Sequence, residues 1–378
     1  MGTMIRIMHV VDLPCSNPWL NGIAVHHDRS HFQHTVVSIG ARNGMHEALE
    51  RLGVRCFALE VASRSRWPFA IARLSKLLRD ERIDLVQTHL FDPSVIGLIA
   101  ARLAGTPYKV VTRHHSDFTT LFHRPIHCQI DRWQALTADR VMAASDAVRR
   151  AMMQFERVPA ERIEIGRYGY DFEALRPCLS PERRKDLRES LGGGGNYLIG
   201  TVARLSIEKG HEYLLRAVPT ILRLYPDSRF VLVGTGPLRA ELERIVDAID
   251  ARARVQFTGW RADAQHLIEA MDLVVHPTLH EAFCSVIIEA MALERPLIAT
   301  DVAAAREQID HGETGLIVPE RDPKAIVEAV RELRNDKDRA VQMGREARRR
   351  VVERFNFPRM MREYESFYDR VLNSKTAS

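Results

Sequence analysis

Residues 280–291 are His280-Glu281-Ala282-Phe283-Cys284-Ser285-Val286-Ile287-Ile288-Glu289-Ala290-Met291, and the interpretation of the whole chain starts from them. Upstream, Leu273-Val274-Val275 predicts a buried strand, and residues 285–293 predict a helix. Glu281 would therefore lie in the loop after a strand and Glu289 on the first turns of the helix. In an open α/β sheet such a loop borders the ligand crevice. Taken alone, Glu281 and Glu289 are explained equally well as two solvated surface residues.

The bulk composition predicts a soluble protein of more than one domain. At 378 residues the chain is too long for one ordinary core. Hydrophobic residues make up 46% and charged residues 27%, and no apolar run reaches the roughly 20 residues of a membrane span. The N-terminal segment is too short and too polar for a signal peptide. Scattered cysteines without a Cys-x-x-Cys pair favour a reduced, cytoplasmic protein.

The net charge of +5 is unevenly distributed. Residues 1–180 hold 23 Lys and Arg against 18 Asp and Glu, whereas residues 181–378 hold 31 of each. The excess predicts an anionic partner for the first half, and the lack of an arginine-rich tract argues against nucleic acid. Residues 64–79 form a basic amphipathic segment with Trp67 and Phe69 near its start. That segment fits a helix on an anionic membrane or an ordinary sheet-covering helix, and we favour the sheet-covering helix.

Strand and helix signals alternate through both halves, which predicts parallel, doubly wound sheets. The predicted strands are 5–11, 34–39, 54–59, 84–89, 108–113, 140–144, 163–166, 197–202, 229–233, 254–258, 272–276, 296–300 and 315–318. The predicted helices include 68–80, 93–104, 211–224, 236–249, 264–270, 285–293 and 323–335. Residues 179–181 and the glycines at 192–195 mark the seam between two Rossmann-like domains, which would face each other across a cleft.

In the first half, a glycine and several histidines are candidate ligand contacts. Gly22 follows the first strand in a predicted loop, where it allows a ligand to approach or simply forms a turn, and the turn is favoured. His89 and the pair His114-His115 come at the ends of predicted strands. A histidine there can bind a phosphate or a sugar hydroxyl or transfer a proton, unless it is a structural residue.

In the second half, Arg204 and Lys209 bracket a loop between a predicted strand and a helix. A planar guanidinium and a point charge can together hold a diphosphate, with two exposed basic residues as the alternative. Residues 230–237 predict a strand followed by a glycine turn. This is not a full dinucleotide fingerprint, because Arg239 stands where the third glycine would fall.

No metal site is predicted. His123, His127 and Cys128 have a suggestive spacing but lack a fourth ligand, and no His-Glu-x-x-His pattern occurs. The charged triplet 336–338 is better explained as a solvated turn.

Together these stretches resemble the family 4 retaining glycosyltransferases, which have the GT-B fold, over nearly the whole chain. The matching blocks are Thr112-Arg113-His114, the pair Arg204 and Lys209, residues 230–237, Val255-Gln256-Phe257-Thr258-Gly259, the Glu-x7-Glu motif from Glu281 to Glu289, and Gly312-Glu313-Thr314-Gly315-Leu316-Ile317-Val318. The resemblance implies an α/β GT-B fold with an N-terminal acceptor-binding Rossmann-like domain (1–178) and a C-terminal nucleotide-sugar-binding Rossmann-like domain (179–357). A C-terminal helix (358–378) would pack back on the first domain.

The resemblance also implies a role for each matching residue. Arg204 and Lys209 would bind the donor diphosphate, and Glu281 would face the transferred sugar near the reacting carbon. Glu289 would hydrogen-bond the ribose, and His114 would lie close to the donor sugar and phosphate. The other implied donor contacts are Gly22, Gly234, Phe283, Cys284, Ser285 and Val286, of which the last two act through backbone N–H groups at a helix N-terminus.

Several residues depart from the family pattern. Asn21 replaces the first glycine of a Gly-Gly pair, and Tyr168 replaces an asparagine before the linker. Ala282 and Cys284 replace the glycines of the usual Glu-Gly-Phe-Gly, which reduces backbone freedom there. Ala303-Ala304 replaces a common Gly-Gly. These positions bear on sugar specificity more than on the fold.

The expected activity is retaining transfer of a sugar from a nucleoside-diphosphate sugar, which in the family is most often UDP-linked, to a glycan, lipid-linked or small-molecule acceptor. The resemblance implies no metal and no other cofactor. The alternatives are a non-catalytic nucleotide-sugar-binding protein and another GT-B enzyme such as a sugar-nucleotide epimerase. The expected location is cytoplasmic, and peripheral contact of the basic first domain with the inner face of the membrane stays open as the alternative.

Overall fold

The computed structural model describes residues 4–13, 17–61, 63–114 and 125–374. The chain divides into two compact units, the first made of Met1–Asp171 and Phe355–Ser378 and the second of Phe172–Arg354. Each unit is an α/β structure built on a parallel sheet. No helix in the described part of the chain is both long enough and apolar enough to cross a membrane.

The sheet of the first unit is buried on both faces, as in other parallel sheets. Its strands are β1 (Ile5–Val11), β2 (Phe32–Ser38), β3 (Arg55–Ala58), β4 (Leu85–His89), β5 (Tyr108–Arg113), β6 (Arg140–Ala143) and β7 (Ile163–Ile165). Its helices include α1 (Pro18–His26), α2 (Gly44–Arg51), α3 (Trp67–Asp80), α4 (Phe91–Ala104), α5 (Pro125–Thr137) and α6 (Asp146–Ala151). The strand order is β3-β2-β1-β4-β5-β6-β7, with parallel pairing. Ile7 packs in one apolar cluster and Met8 in another, because alternate residues of a strand point to opposite faces.

The second unit repeats this architecture. Its strands are β8 (Tyr197–Val202), β9 (Ser228–Val233), β10 (Val255–Gly259), β11 (Leu273–His276), β12 (Leu297–Thr300) and β13 (Leu316–Val318). Its helices include α7 (Pro181–Ser190), α8 (His211–Leu224), α9 (Arg239–Ala248), α10 (Ala264–Ala270), α11 (Ser285–Ala292), α12 (Ala303–Gln308), α13 (Pro323–Asn335) and α14 (Lys337–Arg354). The order is β10-β9-β8-β11-β12-β13, again parallel. The predicted class of two doubly wound α/β sheets is confirmed.

The chain returns to the first unit through α15 (Phe357–Asn373). The buried residues of α15 recur at helical spacing and are Phe357, Met360, Met361, Tyr364, Phe367, Tyr368 and Val371. The Tyr368 hydroxyl donates a hydrogen bond to Oε1 of Gln87 (2.6 Å), and the Tyr108 hydroxyl donates to the carbonyl oxygen of Leu372 (2.7 Å). Apolar packing and hydrogen bonds therefore join this last helix to the sheet of the first unit.

The second unit begins at Phe172 rather than at residue 179. The carboxylate of Glu269 in α10 accepts the backbone N–H groups of Cys178 (3.0 Å) and Leu179 (2.8 Å). These charge-assisted hydrogen bonds fix the connecting segment to the second unit. The sequence analysis marked residues 179–181 and the glycines at 192–195, which begin at the end of this connecting segment.

The structure contradicts the loop and turn predicted at Gly22, which lies inside α1. A Cβ atom at Gly22 would lie only 2.1 Å from Cε1 of Phe357 in α15. Glycine therefore allows close packing of α1 against the last helix. The prediction failed because glycine is a weak helix former in isolation, whereas tertiary packing overrides that propensity here.

Helix α3 has the amphipathic character predicted from residues 64–79. Its buried face includes Ala70, Leu74 and Leu78, which belong to an apolar cluster on the first sheet. The favoured sheet-covering interpretation is therefore correct for that face. The opposite face leaves Phe69 62% exposed among basic side chains.

Candidate active site

Both sheets have a switch point where the strand order reverses, between β1 and β4 in the first and between β8 and β11 in the second. The carboxyl ends of strands at such a point border the ligand site in open α/β sheets. In the second unit, the loop after β8 carries Arg204 and Lys209, and the loop after β11 carries Glu281. In the first unit, His89 ends β4 and His114 directly follows β5. The predicted residues thus lie at the ligand-binding edge of their own sheets.

Arg204 is held by a carboxylate that the sequence did not single out. Nη2 of Arg204 donates to Oε1 of Glu208 (2.6 Å), and the Ser206 hydroxyl donates to the same oxygen (2.5 Å). Burial raises the pKa of the Glu208 carboxyl, but the hydrogen bonds from Ser206 and Arg204 outweigh burial and leave that pKa below its ordinary value. The Arg204 side chain is 68% exposed, so it can exchange Glu208 for a ligand.

The two loops of the second unit are joined through their backbones. The carbonyl oxygen of Glu208 accepts hydrogen bonds from the Leu279 N–H (2.8 Å) and the Thr278 hydroxyl (2.9 Å). Gly210 has φ +61°, and a Cβ atom there would lie 2.1 Å from the Pro277 carbonyl oxygen. Only glycine permits this approach, which brings the loop carrying Lys209 against the loop carrying Glu281.

Lys209 and Glu281 form an ion pair, with the ammonium donating to Oε2 of the carboxylate. The two side chains are only 17% and 18% exposed. Nε2 of His276 lies 3.7 Å from the same oxygen. Burial raises the pKa of Glu281. The hydrogen bond from His276 and the positive charge of Lys209 outweigh burial and leave that pKa below its ordinary value. The pair is thus a preformed, mostly dry arrangement of charge.

Glu289 is in a different environment although it lies on the helix that follows the same loop. It is partly buried in α11, and its carboxylate has no hydrogen-bond or ion-pair partner within the described ranges. Burial raises its pKa from 4.5 to about 7. An uncompensated carboxylate in such a position is typical of a functional site, because stability alone disfavours it.

The helix N-terminus between the two glutamates tolerates the departures from the family pattern. Cys284 is the N-cap residue of α11, with φ −99°, and Ala282 also has no positive φ. Both side chains are buried. These positions therefore do not need the freedom of glycine. The Cys284 side chain instead contacts His276, with Sγ 3.1 Å from Nε2.

Gly234 supports the site through its backbone. It follows β9 with φ +143°, and a Cβ atom there would lie 2.0 Å from the carbonyl oxygen of Ala203. The glycine turn thus packs directly on the loop that carries Arg204. The sequence predicted the turn but not its contact with the loop at Ala203.

In the first unit, hydrogen bonds connect four histidines in a chain. Nδ1 of His34 lies 2.8 Å from Nε2 of His9, Nδ1 of His9 lies 3.1 Å from Nε2 of His89, and Nδ1 of His89 lies 2.9 Å from Nε2 of His114. Nδ1 of His114 is hydrogen-bonded to the Tyr168 hydroxyl. We call these five residues the histidine chain. His89 and His114 were predicted, whereas His9, His34 and the role of Tyr168 were missed.

Three members of the histidine chain, His9, His34 and His89, are uncharged at neutral pH. Burial, with a smaller contribution from His27, lowers the pKa of His9 to about 3. Burial and neighbouring histidines also hold the pKa values of His34 and His89 well below 6.5. Each neutral imidazole donates one hydrogen bond and accepts one, so the tautomers along the chain are coupled. Three adjacent strands each carry one histidine, and the strand register places the three on the same face of the sheet. This pattern is the sequence signal for the arrangement.

The remaining histidine predictions fall in or near the gap at 115–124. His115 and His123 lie outside the described residues. His127 packs on the ring of Phe91 at 5.0 Å, and the Cys128 thiol donates to the carbonyl oxygen of Phe155 (3.1 Å). These contacts supply ordinary structural roles for His127 and Cys128.

Two family models match the chain: residues 182–350 match "Glycosyl transferases group 1", and residues 23–174 match "Glycosyltransferase Family 4". The alpha-D-kanosaminyltransferase of Streptomyces kanamyceticus is 32% identical over 259 residues, which are 66% of this chain and 67% of that protein. The chain belongs to glycosyltransferase family 4. It is therefore a glycosyltransferase enzyme.

Other proteins agree with this family and fold. The glycosyltransferase is 26% identical over 314 residues, 80% of each chain, to the UDP-Gal:alpha-D-GlcNAc-diphosphoundecaprenol alpha-1,3-galactosyltransferase of Escherichia coli. The crystal structure of Anabaena HepE in complex with UDP and glucose matches 97% of this chain and 99% of that chain, with a TM-score of 0.82 and 22% identity. Sucrose-phosphate synthase from Thermosynechococcus elongatus matches with a TM-score of 0.78 and 19% identity over 98% and 100% of the two chains. These likenesses support the two-domain GT-B fold.

Proposed function

We propose that this glycosyltransferase moves a sugar, with retention of anomeric configuration, from a nucleoside-diphosphate sugar to an acceptor hydroxyl without a metal cofactor. The observation that carries the proposal is the joined pair of loops in which Lys209 is ion-paired to Glu281 close to the N-terminus of α11. Preorganised cations and helix N–H groups stabilise negative charge that develops on a leaving group.

Arg204 and Lys209 have complementary roles in this proposal. Lys209 is mostly buried and held by Glu281, so it gives a constant positive charge beside the leaving diphosphate. Arg204 is exposed and turns from Glu208 to the diphosphate when the donor binds. The bond from the anomeric carbon to the phosphate oxygen breaks, the acceptor hydroxyl attacks from the same face, and its proton passes to the departing phosphate.

The two glutamates divide the donor between them. Glu281, already ionised and paired, faces the transferred sugar, whereas Glu289 accepts hydrogen bonds from the ribose hydroxyls. Because the pKa of free Glu289 is about 7, donor binding should strengthen as the pH rises to that value. The Michaelis constant for the donor would be roughly tenfold higher at one pH unit below that pKa than on its plateau.

The smaller donor contacts follow from the same model. Ser285 and Val286 offer N–H groups to the diphosphate, and Phe283 and Cys284 line the sugar position. His114 contacts the donor sugar and phosphate from the first unit. Gly234 and Gly22 act through the close packing of the chain segments that carry the site.

The donor and acceptor are proposed from relatives. A UDP-linked donor is supported by the E. coli galactosyltransferase and by HepE, which was crystallised with UDP-glucose. The same relative uses a diphosphoundecaprenol-linked acceptor, and the 32% identical relative transfers kanosamine. A lipid-linked glycan in polysaccharide biosynthesis is thus the supported acceptor class. A small molecule is the alternative to test. The second unit binds the nucleotide sugar and the first unit binds the acceptor.

We place the enzyme in the cytoplasm, with peripheral contact to the inner membrane face through the basic first half. The support is α3, whose exposed face presents Phe69 with Arg66, Arg73 and Lys76. Co-sedimentation with liposomes tests this contact. We expect binding to vesicles that contain anionic phosphatidylglycerol and loss of binding at high salt. Equal sedimentation of Phe69→Ser and the wild type, or no binding at low salt, contradicts it.

The function is tested with a panel of nucleotide sugars and acceptors, scored by nucleoside diphosphate release and by the anomeric configuration of the product. We expect one donor to be consumed only when an acceptor is present, with retention. Donor conversion without an acceptor would instead show an epimerase, and binding without turnover would show a nucleotide-sugar-binding protein. An inverted product would contradict the retaining mechanism.

A further inference from the structure

Three different metal-ligand types meet in the second unit, where no metal ligation was predicted. They are Nε2 of His276, a carboxylate oxygen of Glu281 and Sγ of Cys284, and all three atoms lie within 4.8 Å of one another. Sγ of Cys284 is 3.1 Å from Nε2 of His276, which is 3.7 Å from Oε2 of Glu281. We call these residues the His–Glu–Cys cluster.

The geometry of the His–Glu–Cys cluster suits zinc. Tetrahedral zinc with ligand bonds of about 2.0 to 2.3 Å separates neighbouring ligand atoms by roughly 3.3 to 3.6 Å. The two separations of 3.1 and 3.7 Å therefore need only small side-chain movements to fit. Thiolate and imidazole are soft and borderline ligands, so the cluster favours zinc or cobalt over magnesium or manganese. Three protein ligands leave a fourth position for water.

A second observation points to an additional ligand at this place. His276 and His211 are each 2% exposed, and Nδ1 of His276 and both ring nitrogens of His211 are buried without a hydrogen-bond partner in the described structure. His211 lies close enough to His276 for the two imidazoles to interact electrostatically. Orphaned buried polar atoms are costly, and water bound to a metal at the cluster would give His211 a partner. Nδ1 of His276 lies on the ring edge away from the metal-binding Nε2, so a metal there leaves it as it is.

We propose that the His–Glu–Cys cluster binds a thiophilic divalent cation, zinc above all, and that occupation of this site reversibly inhibits the glycosyltransferase. Binding forms a bond from the metal to Sγ of Cys284, and the thiol proton leaves to solvent. The Glu281 carboxylate exchanges the Lys209 ammonium for the metal. The inhibitory part rests on the proposed function, in which Lys209 must stay beside the donor diphosphate.

The metal site is tested without any activity measurement, by titrating the full chain with Co²⁺. A cobalt–thiolate bond gives a charge-transfer absorption that Zn²⁺ then abolishes by displacement. We expect the absorption in the wild type and its loss in Cys284→Ser. The matched control is Cys178→Ser, which removes an exposed cysteine of the same unit and keeps the absorption.

The outcomes separate the metal site from its neighbours. No absorption in the wild type, or loss in Cys178→Ser with retention in Cys284→Ser, overturns the site. If Cys284→Ser does not fold by circular dichroism, His276→Asn decides: cobalt affinity at least tenfold weaker supports the site, and unchanged affinity contradicts it.

The inhibition is tested in a separate assay with the active donor. Zinc should lower wild-type turnover at least tenfold, with recovery on addition of EDTA, and the residual turnover of His276→Asn should resist zinc. Equal zinc sensitivity of the two proteins contradicts inhibition through this site. A cobalt signal in a chain that is inactive with every donor overturns the proposed function but leaves the metal site standing.

Discussion

The carboxyl edges of the two sheets share a topology but differ in their electrostatics. In the first unit the edge is formed by the histidine chain, in which burial keeps His9, His34 and His89 neutral. In the second unit it carries the Lys209–Glu281 ion pair and the Arg204–Glu208 pair. The fold therefore determines where the ligand edge lies, and local residues determine whether that edge stabilises charge or only orients polar groups.

The difference agrees with the chemistry proposed for each unit. A leaving diphosphate needs fixed positive charge, which the second edge supplies. The first edge supplies directional hydrogen bonds from neutral donors and acceptors, which orient polar groups without adding charge.

The largest effect is expected for Lys209→Met, which removes the fixed charge of the second unit and leaves Glu281 unpaired. Turnover should fall by about a hundredfold to a thousandfold, because one preorganised electrostatic contact is lost. The measurement is steady-state nucleoside diphosphate release. Lys185→Met removes an exposed lysine of the same unit as Lys209 and serves as the control. Turnover within threefold of wild type in Lys209→Met contradicts the role of this charge.

A smaller effect, on stability, is expected for Glu289→Gln. Between pH 4.5 and 7 the unfolded chain releases a proton that folded Glu289 retains, so ionisation lowers the free energy of unfolding as the pH rises through this window. At pH 8 the amide should raise that free energy by up to about 3 kcal/mol while it weakens donor binding. Urea unfolding at pH 5 and pH 8 measures it. An equal effect at both pH values is the contradicting result.

In the first unit, His89→Leu should lower the free energy of unfolding by about 2 kcal/mol, because His9 and His114 each lose a buried hydrogen-bond partner. The wild type should also lose stability as the pH falls below 6.5, since the unfolded chain then binds protons that buried His9 and His89 do not. Urea midpoints at pH 7 and pH 5 measure both effects. An unchanged pH dependence in His89→Leu contradicts the contribution of this histidine.

The smallest effect is expected for Gly22→Ala, which forces a methyl group toward the Phe357 ring. The free energy of unfolding should fall by about 1 to 2 kcal/mol. Gly44→Ala is the matched control, because a Cβ atom there meets nothing within 4 Å. That control should be neutral or slightly stabilising. A change in donor affinity without loss of stability in Gly22→Ala would assign the glycine to ligand binding instead.

The same contrast explains what could be predicted from the sequence. The strands were predictable because buried parallel strands such as Leu273–His276 are short apolar runs between turn signals. The pairing of Lys209 with Glu281 was not predictable, because it depends on the close approach that Gly210 allows between two loops distant in sequence. His9 and His34 were not predicted as members of the histidine chain, because nothing in the sequence distinguishes them from other strand residues. Only the strand order and register show that they lie side by side.

We propose that the loop of Lys209 holds the donor diphosphate, and calorimetry with nucleotides tests this claim. Wild type and Lys209→Met are titrated with the nucleoside diphosphate released in the donor panel and with its monophosphate. We predict that the wild type prefers the diphosphate at least tenfold and that Lys209→Met loses this preference while its monophosphate affinity is unchanged. An undiminished diphosphate preference in Lys209→Met would contradict the claim.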